Sequence, residues 1–339
     1  MNPSIPSIPT TSAGRLGRRR LLTGLGGLAA LAATGAAGPA LAQGAAFPSK
    51  TVTLVVPYSA GGGTDIVGRL MAQHLSEAWG QSVVVDNRTG ANGVIGSSSV
   101  ARAPADGHTL MLVVGSHAVN PVLMKSMPYD TTRAFTPITN IASSPCVLVV
   151  QAQGRYRTLA DLLAAARKEE LGCGYSEGQT RLTAELIRQV GDLKLTGVPY
   201  KGGAPIMVDI IGGHLPMGVT SVLTALPHVR SGALRVVGVA DARRMPLFPE
   251  AMTFKEAGLD GVESLSWYGL FGPAGLPPAI VAQINQALRK VTDDPVVQKQ
   301  MHDQGAEIML TPPAEFQRFL ASETTKWARV AQRGGITAE

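Results

Sequence analysis

From residue 47 onward the chain alternates short β-branched apolar runs with longer stretches whose apolar positions recur every three to four residues. The continuous runs read as strands, and the three-to-four spacing reads as one buried face of a helix. Thr51–Pro57 is the first strand, and Thr64–Trp79 the first helix, with Ile66, Val67, Leu70, Met71, Leu75 and Ala78 on one stripe. Val83–Asp86 is the next strand. The Asn87–Gly93 turn opens a helix ending near Ala103, and Thr109–Gly115 is the third strand. Three strands joined by helical crossovers predict a parallel α/β layer.

A second set follows. The pattern predicts strands at Cys146–Gln151, Gly172–Ser176, Thr196–Tyr200, Pro216–Thr220 and Val236–Val239. Helices fall between them: Thr158 to Glu170, opened by a Thr158/Asp161 capping box, then Thr180–Val190, Ala204–Ile211 and Leu223–Ser231. The tail has a strand at Trp267–Phe271 and helices at Pro278–Thr292 and Pro295–Gln304. A last helix runs from Pro312 to Arg333, with Thr311 as N-cap, proline at N1, and Phe316, Phe319, Leu320, Trp327 and Val330 on its buried face. No repeat of solenoid period is present.

Several strands end in a Gly-, Ser- or Thr-rich turn that starts a helix: Ser59–Asp65, Gly115–Asn120, Ser176–Thr180, Tyr200–Pro205 and Thr220–Thr224. In open α/β sheets such carboxyl-edge loops line the ligand crevice. Two sets of them, one per sheet, fit a cleft between two lobes. The first loop is the most informative, because Gly61-Gly62-Gly63 leads straight into a helix. It sets free backbone N–H groups and the positive end of a helix dipole at the sheet edge, a site suited to a small anion. It lacks the spacing of a nucleotide-binding loop, and no lysine follows the glycines. Asp65 at the helix start suits the dipole and can cap neighbouring amides.

A length of 339 residues predicts two domains. With 45% hydrophobic and only 16% charged residues, the chain is neither disordered nor a coiled coil. Residues 1–42 read as a twin-arginine export signal, with Arg18-Arg19 as the pair, a weakly apolar Leu21–Ala37 stretch, and Ala40-Leu41-Ala42 as cleavage site. That leader carries four arginines and no acid, so removing them from a formal charge of +6 leaves +2. No dense basic run remains for nucleic acid. Cys146 and Cys173 are expected as two buried free thiols, without C-x-x-C spacing.

Catalytic signatures are missing from the pattern. The six histidines have no H-x-x-x-H spacing, so neither metal nor cofactor is expected. His117, in a carboxyl-edge loop, is the one histidine placed near the cleft. Gly115-Ser116-His117 does not make a nucleophile elbow. The chain has anion-binding parts and no evident catalytic engine, which predicts a binding protein rather than an enzyme.

Ordered motifs carry a family resemblance. Pro57-Tyr58-Ser59-Ala60-Gly61-Gly62-Gly63-Thr64-Asp65, Val84-Val85-Asp86-Asn87-Arg88, Gly90-Ala91-Asn92-Gly93 and Asp106-Gly107-His108-Thr109-Leu110 come first. Val198-Pro199-Tyr200-Lys201-Gly202-Gly203-Ala204-Pro205 with Asp209, Gly212-Gly213, Ala225-Leu226-Pro227-His228, Ser231–Arg235 and Trp267–Gly275 follow. In this order they resemble the Bug-type substrate-binding receptors of tripartite tricarboxylate transport systems, over essentially all of the mature chain.

The resemblance implies two Rossmann-like α/β lobes of the type II periplasmic-binding-protein, or Venus flytrap, architecture. Lobe 1 would comprise 43–148 plus 268–339, and lobe 2 149–267. It implies a monomeric, non-catalytic periplasmic receptor that captures a small organic acid and delivers it to membrane transporter subunits. The alternatives are a sensing subunit for a membrane kinase and an exported periplasmic enzyme. Carried over residue by residue, the first lobe would hold a ligand carboxylate with Tyr58, Gly62, Gly63 and Asp65 in one loop, and Ser116 and His117 in another. Lobe 2 would add Tyr200, Lys201, Gly202, Asp209, Thr220 and Ser221, together with Thr180. One segment departs from the family pattern: Ser176–Ala184 is shorter, with Arg181 where a histidine is usual and Glu177 placed to repel an anion.

Overall fold

The computed structural model of the chain describes residues 47–338, so the export leader expected over 1–42 lies outside the described residues. In order, the elements are β1 (Val52–Val56), α1 (Gly63–Trp79), β2 (Val83–Asn87), a 3-10 turn at Ala91–Gly93, α2 (Val94–Ala101), β3 (Thr109–Val113) and α3 (Ser116–Leu123). There follow β4 (Phe135–Gln151), α4 (Leu159–Ala166), β5 (Leu171–Tyr175), α5 (Gly178–Gly191), β6 (Leu195–Pro199), α6 (Gly203–Ile211), β7 (Met217–Ser221), α7 (Val222–Arg230), β8 (Leu234–Val239) and β9 (Met252–Thr253). The chain closes with β10 (Leu265–Pro273), α8 (Pro278–Thr292), α9 (Pro295–Asp303), β11 (Glu307–Ile308) and α10 (Pro313–Arg333).

Two sheets result. In the first, β2, β1 and β3 run parallel, and β10 joins antiparallel between β3 and β4. In the second, β6, β5 and β7 run parallel, β4 joins antiparallel beside β7, and β8 covers its other edge. Both sheets carry helices, as alternating strand and helix requires.

β4 belongs to both sheets. Residues 135–145 pair with β10 in the first, and 146–151 pair with β7 and β8 in the second. The apolar pattern reveals only the second half. Phe135–Pro145 carries Pro137, Asn140, Ser143, Ser144 and Pro145, a composition that disfavours a strand when read alone. Pairing along β10 overrides it, and register shifts near Gly269 and Phe271 absorb the irregularity. At the crossing, Cys146 N–H donates to Ser264 O at 2.8 Å, and Ser264 N–H donates to Ala240 O at 2.9 Å. Cys146 and Cys173 are both buried and free.

Each sheet is packed on both faces. In the first, Leu54 and Val56 of β1 and Leu110 and Leu112 of β3 meet Val67 and Met71 of α1 and Ile284 and Leu288 of α8. Val55, Met111 and Val113 pack instead with Val100 of α2 and Phe316 of α10. In the second sheet, Val147 and Val149 face Ile206 and Ile210 of α6, while Leu148 and Val150 face Leu159 and Leu162 of α4. α10 begins one residue later than expected, with Pro312 as N-cap and Pro313 at N1. Thr311 is used elsewhere: its Oγ1 accepts from Asn140 N–H at 3.1 Å, tying the tail to β4. Trp327 and Val330 of α10 then pack with Val119 and Leu123 of α3 and Leu182 of α5, so this helix touches helices of both sheets.

His117 sits in the aromatic layer beneath α3. Its ring lies 5.0 Å from Phe271 and 5.2 Å from Phe135, centroid to centroid, and neither nitrogen has a partner among the described residues. Burial pushes its pKa down to about 3 from 6.5. The folded state therefore holds the neutral ring where the unfolded chain binds a proton. Stability from this site is present above pH 6.5 and is lost as pH falls from 6.5 toward about 3. His117→Phe is expected to lose less thermal midpoint than the parent between neutral and mildly acidic pH. Equal losses in the two proteins would remove His117 from the account.

Candidate functional site

Pro57 ends β1 because it has no N–H to donate, and the chain turns through Tyr58–Gly62 into α1. Gly61 takes the left-handed conformation (φ 78°) that this turn needs. Asp65, buried in the first turn of α1, staples the loop. Its Oδ2 accepts from Gly61 N–H and Arg69 Nε, both at 2.9 Å, and its Oδ1 accepts from Asn87 Nδ2 at 3.0 Å. Asn87 Nδ2 also donates to Tyr58 O at 3.1 Å. Burial alone would raise the Asp65 carboxyl, but these hydrogen bonds outweigh it and hold it below the usual range. Asp65 is an anion at neutral pH, committed to its own loop.

Across from this loop stand the carboxyl ends of the second sheet. Ser221 caps α7, where its Oγ accepts from Thr224 N–H. Gly63 N–H donates to Thr224 Oγ1 at 3.1 Å, joining the first turns of α1 and α7. Ser59 Oγ donates to Lys201 O at 2.7 Å, beside the N-terminus of α6. Gly178 N–H, at the start of α5, donates to Asn92 Oδ1 at 3.1 Å, and Ser116 Oγ donates to the Glu177 carboxylate. The two sheets are thus closed on one another around a cavity of about 660 Å³. That volume falls within the usual range for a small-molecule site.

Four helices present their N-termini to this cavity: α1 through Gly62 and Gly63, α5 through Glu177 and Gly178, α6 through Gly202 and Gly203, and α7 through Ser221 and Thr224. Each brings the positive end of its dipole and first-turn amides, those of α5 being capped by Glu177 and Asn92 and one of α7 by Ser221. Convergence of this kind favours a bound anion. Gly63 lies at the tightest approach, where an added Cβ would stand 2.6 Å from Tyr268 Oη and 2.7 Å from Ser221 Oγ. Tyr268 Oη is fully buried there beside Ser221, and burial raises its pKa despite the Ser221 hydroxyl.

Of the residues singled out from the sequence, Tyr58, Gly62, Gly63, Thr180, Tyr200, Lys201, Gly202, Thr220 and Ser221 line the cavity. Asp65, Ser116, His117 and Asp209 do not. Each of these four supports the site from behind. Asp65 holds the glycine loop, Ser116 reaches Glu177, His117 fills the aromatic layer, and Asp209 accepts from Tyr200 Oη at 2.5 Å. Removal from water, followed by that bond and the Asp209 charge, pushes the Tyr200 phenol up to about 12.

Thr224, Tyr268 and Asn92 also line the cavity, and sequence reasoning misses them. Asn92 adopts a positive φ of 56°, which asparagine tolerates in turns, and that preference is the available signal. Tyr268 offers none, because within an apolar strand it reads as core. A smaller depression of about 200 Å³ shares Tyr175 and Arg181 with the main cavity. Among the described residues no group of three His, Cys, Asp or Glu could hold a metal ion, and no helix is long and apolar enough to cross a membrane.

Comparison with known proteins agrees with this geometry. The model of the tripartite tricarboxylate transporter family receptor matches residues 67–336. Protein BugT of Bordetella pertussis is 32% identical over 295 residues, covering 85% of this chain and 90% of BugT. The structure of R. palustris Rpa4515 with adipate is similar at 35% identity and a TM-score of 0.83, covering 86% of this chain and all of that one. MatC from Rhodopseudomonas palustris with bound malate is similar at 28% identity and a TM-score of 0.79, covering 84% of this chain and 99% of that one. With two α/β lobes closed over a cavity of helix N-termini, the chain belongs to the tripartite tricarboxylate transporter receptor family, among the Bug-type substrate-binding proteins.

Proposed function

We propose that this protein is a periplasmic receptor that captures a small carboxylate between its lobes and delivers it to the membrane subunits of a tripartite tricarboxylate-type transporter. The observation that carries the reading is the convergence of four helix N-termini, from both sheets, on one cavity. The adipate and malate bound by related structures support a carboxylate ligand. The twin-arginine signature over 1–42 supports export, and the two lobes lie on either side of the β4 crossing at Pro145/Cys146, a few residues from the bounds expected from the sequence. The receptor works as a monomer, without cofactor or catalysis.

The mechanism is a shift of population toward the closed form. A ligand favours closure only as far as it binds the closed form better than the open one. Here the differential contact comes from amides and hydroxyls that lie on opposite sheets and meet only when the lobes are together. Gly63 N–H and Thr224 Oγ1 already bond across the gap, so a carboxylate at this point takes both as donors in place of their mutual bond. The anion also relieves the opposition of α1 and α7, whose positive ends face each other. Waters can complete the cradle, since a bridged contact is nearly as favourable as a direct one.

A thermal-shift screen of organic acids tests the reading, because a ligand at about 100 times its Kd stabilises the fold by roughly 2.7 kcal/mol. Failure of every carboxylate to raise the midpoint would refute it. Gly63→Ala should bar full closure through its collision with Tyr268 and Ser221, which overpacking values of about 1–3 kcal/mol translate to roughly 5- to 150-fold weaker binding. Unchanged affinity by calorimetry would contradict the placement of α1 against α7. Asp65→Ala should weaken carboxylate binding by about tenfold through loss of loop order, with little change in helix content. A full-strength binder carrying Asp65→Ala would show that the staple is dispensable.

A further inference from the structure

Among the described residues that line the cavity, Glu177 is the only acid. It stands at the N-cap of α5. Four donors fix its carboxylate: Ser116 Oγ from the facing lobe, the Thr180 hydroxyl, and the amides of Gln179 and Thr180 at the start of its own helix. In return Thr180 Oγ1 accepts from Glu177 N–H at 3.2 Å.

The cavity is therefore polarised. At the α1, α6 and α7 end stand donors: first-turn amides, the hydroxyls of Ser221 and Thr224, and the buried Tyr268 hydroxyl. At the α5 end stands an acceptor. The Glu177 carboxylate reaches Ser116 on the first-lobe side of the cavity. The cavity's basic side chains are Arg181, one turn along α5, and Lys201, which is exposed.

We propose that Glu177 reads a hydrogen-bond donor on the ligand, so that this receptor takes an amino or hydroxy monocarboxylic acid and rejects α,ω-dicarboxylates. This rests on the carboxylate-receptor reading above and narrows it. A ligand carboxylate seated among the helix amides leaves its other end against Glu177. A second carboxylate there meets a like charge, whereas an ammonium meets an opposite one and a hydroxyl meets a strong acceptor. Burial already raises the Glu177 carboxyl; a neighbouring anion would raise it further, and an ammonium would lower it. The adipate and malate of the related structures are dicarboxylates, so the ligand class proposed for this chain stands apart from theirs.

Calorimetry on the purified exported protein provides the test. The probes are chain-length-matched sets, each containing an α,ω-dicarboxylate and the corresponding ω-amino, ω-hydroxy and α-amino monoacids. A donor-bearing member is expected to bind at least about tenfold more tightly than its dicarboxylate, the lower end of what a hydrogen bond to a charged group contributes. Glu177→Gln should erase that preference and Glu177→Asp should retain it in sign. Tighter dicarboxylate binding in every set, or an unchanged ratio in Glu177→Gln, overturns the role of Glu177 and leaves the receptor reading standing. If Glu177→Gln does not fold, the ratio in the parent protein decides alone. Binding of none of these acids overturns the receptor reading, and this proposal with it.

Discussion

One strand shared by two sheets governs the architecture. β4 leaves the first sheet at Pro145 and enters the second at Cys146 without interruption. The carboxyl edges of two separately hydrogen-bonded sheets are thereby set across a crevice instead of side by side. β10 follows β4 through the first sheet as far as this crossing, and α10 packs on helices of both sheets. The backbone passes between the sheets side by side at this level, through β4 and through the Ser264–Leu265 entry to β10.

Everything in the crevice follows from that opposition of edges. Helices that begin at strand ends aim their amides inward, and four of them do so here. Their dipoles repel one another in the closed form unless hydroxyls, waters or an anion intervene. The protein meets part of this need itself: Thr224 accepts from Gly63, Asn92 accepts from Gly178, and Glu177 accepts from Ser116. Closure without ligand is therefore a set of self-made substitutes for ligand contacts. In the receptor proposed above, selectivity follows from how well a given acid replaces them, and Glu177 is the acidic one among them.

Charge enters the site indirectly. Asp65 is ionised and sits within one turn of the proposed carboxylate position, yet its lone pairs are committed to Gly61, Arg69 and Asn87. Arg69 balances its charge at 2.9 Å, so the loop gains rigidity without projecting a negative field into the cavity. His117 likewise supports from below, as a neutral ring in an aromatic layer. A polar residue near a cleft can thus serve the cleft by fixing its walls.

Much of this is legible in the residues alone. Alternating apolar periods locate the strands and helices of both sheets, and Pro278–Thr292 falls at its observed bounds. The glycine turns before α1 and α6 and the hydroxyl-bearing turn before α7 mark the cavity, because local backbone geometry demands those residue types. Tertiary structure decided the rest. Only pairing with β10 makes a strand of Phe135–Pro145, and only bonding to β4 takes Thr311 from its expected cap. Which side chains face the cavity and which stand behind it, Tyr268 and Thr224 against Asp65 and His117, was likewise settled by packing. Periodicity and capping act over a few neighbouring residues and leave a trace in the sequence. Strand order and lobe closure join residues more than a hundred positions apart, as Gly63 and Thr224 are joined, and leave none.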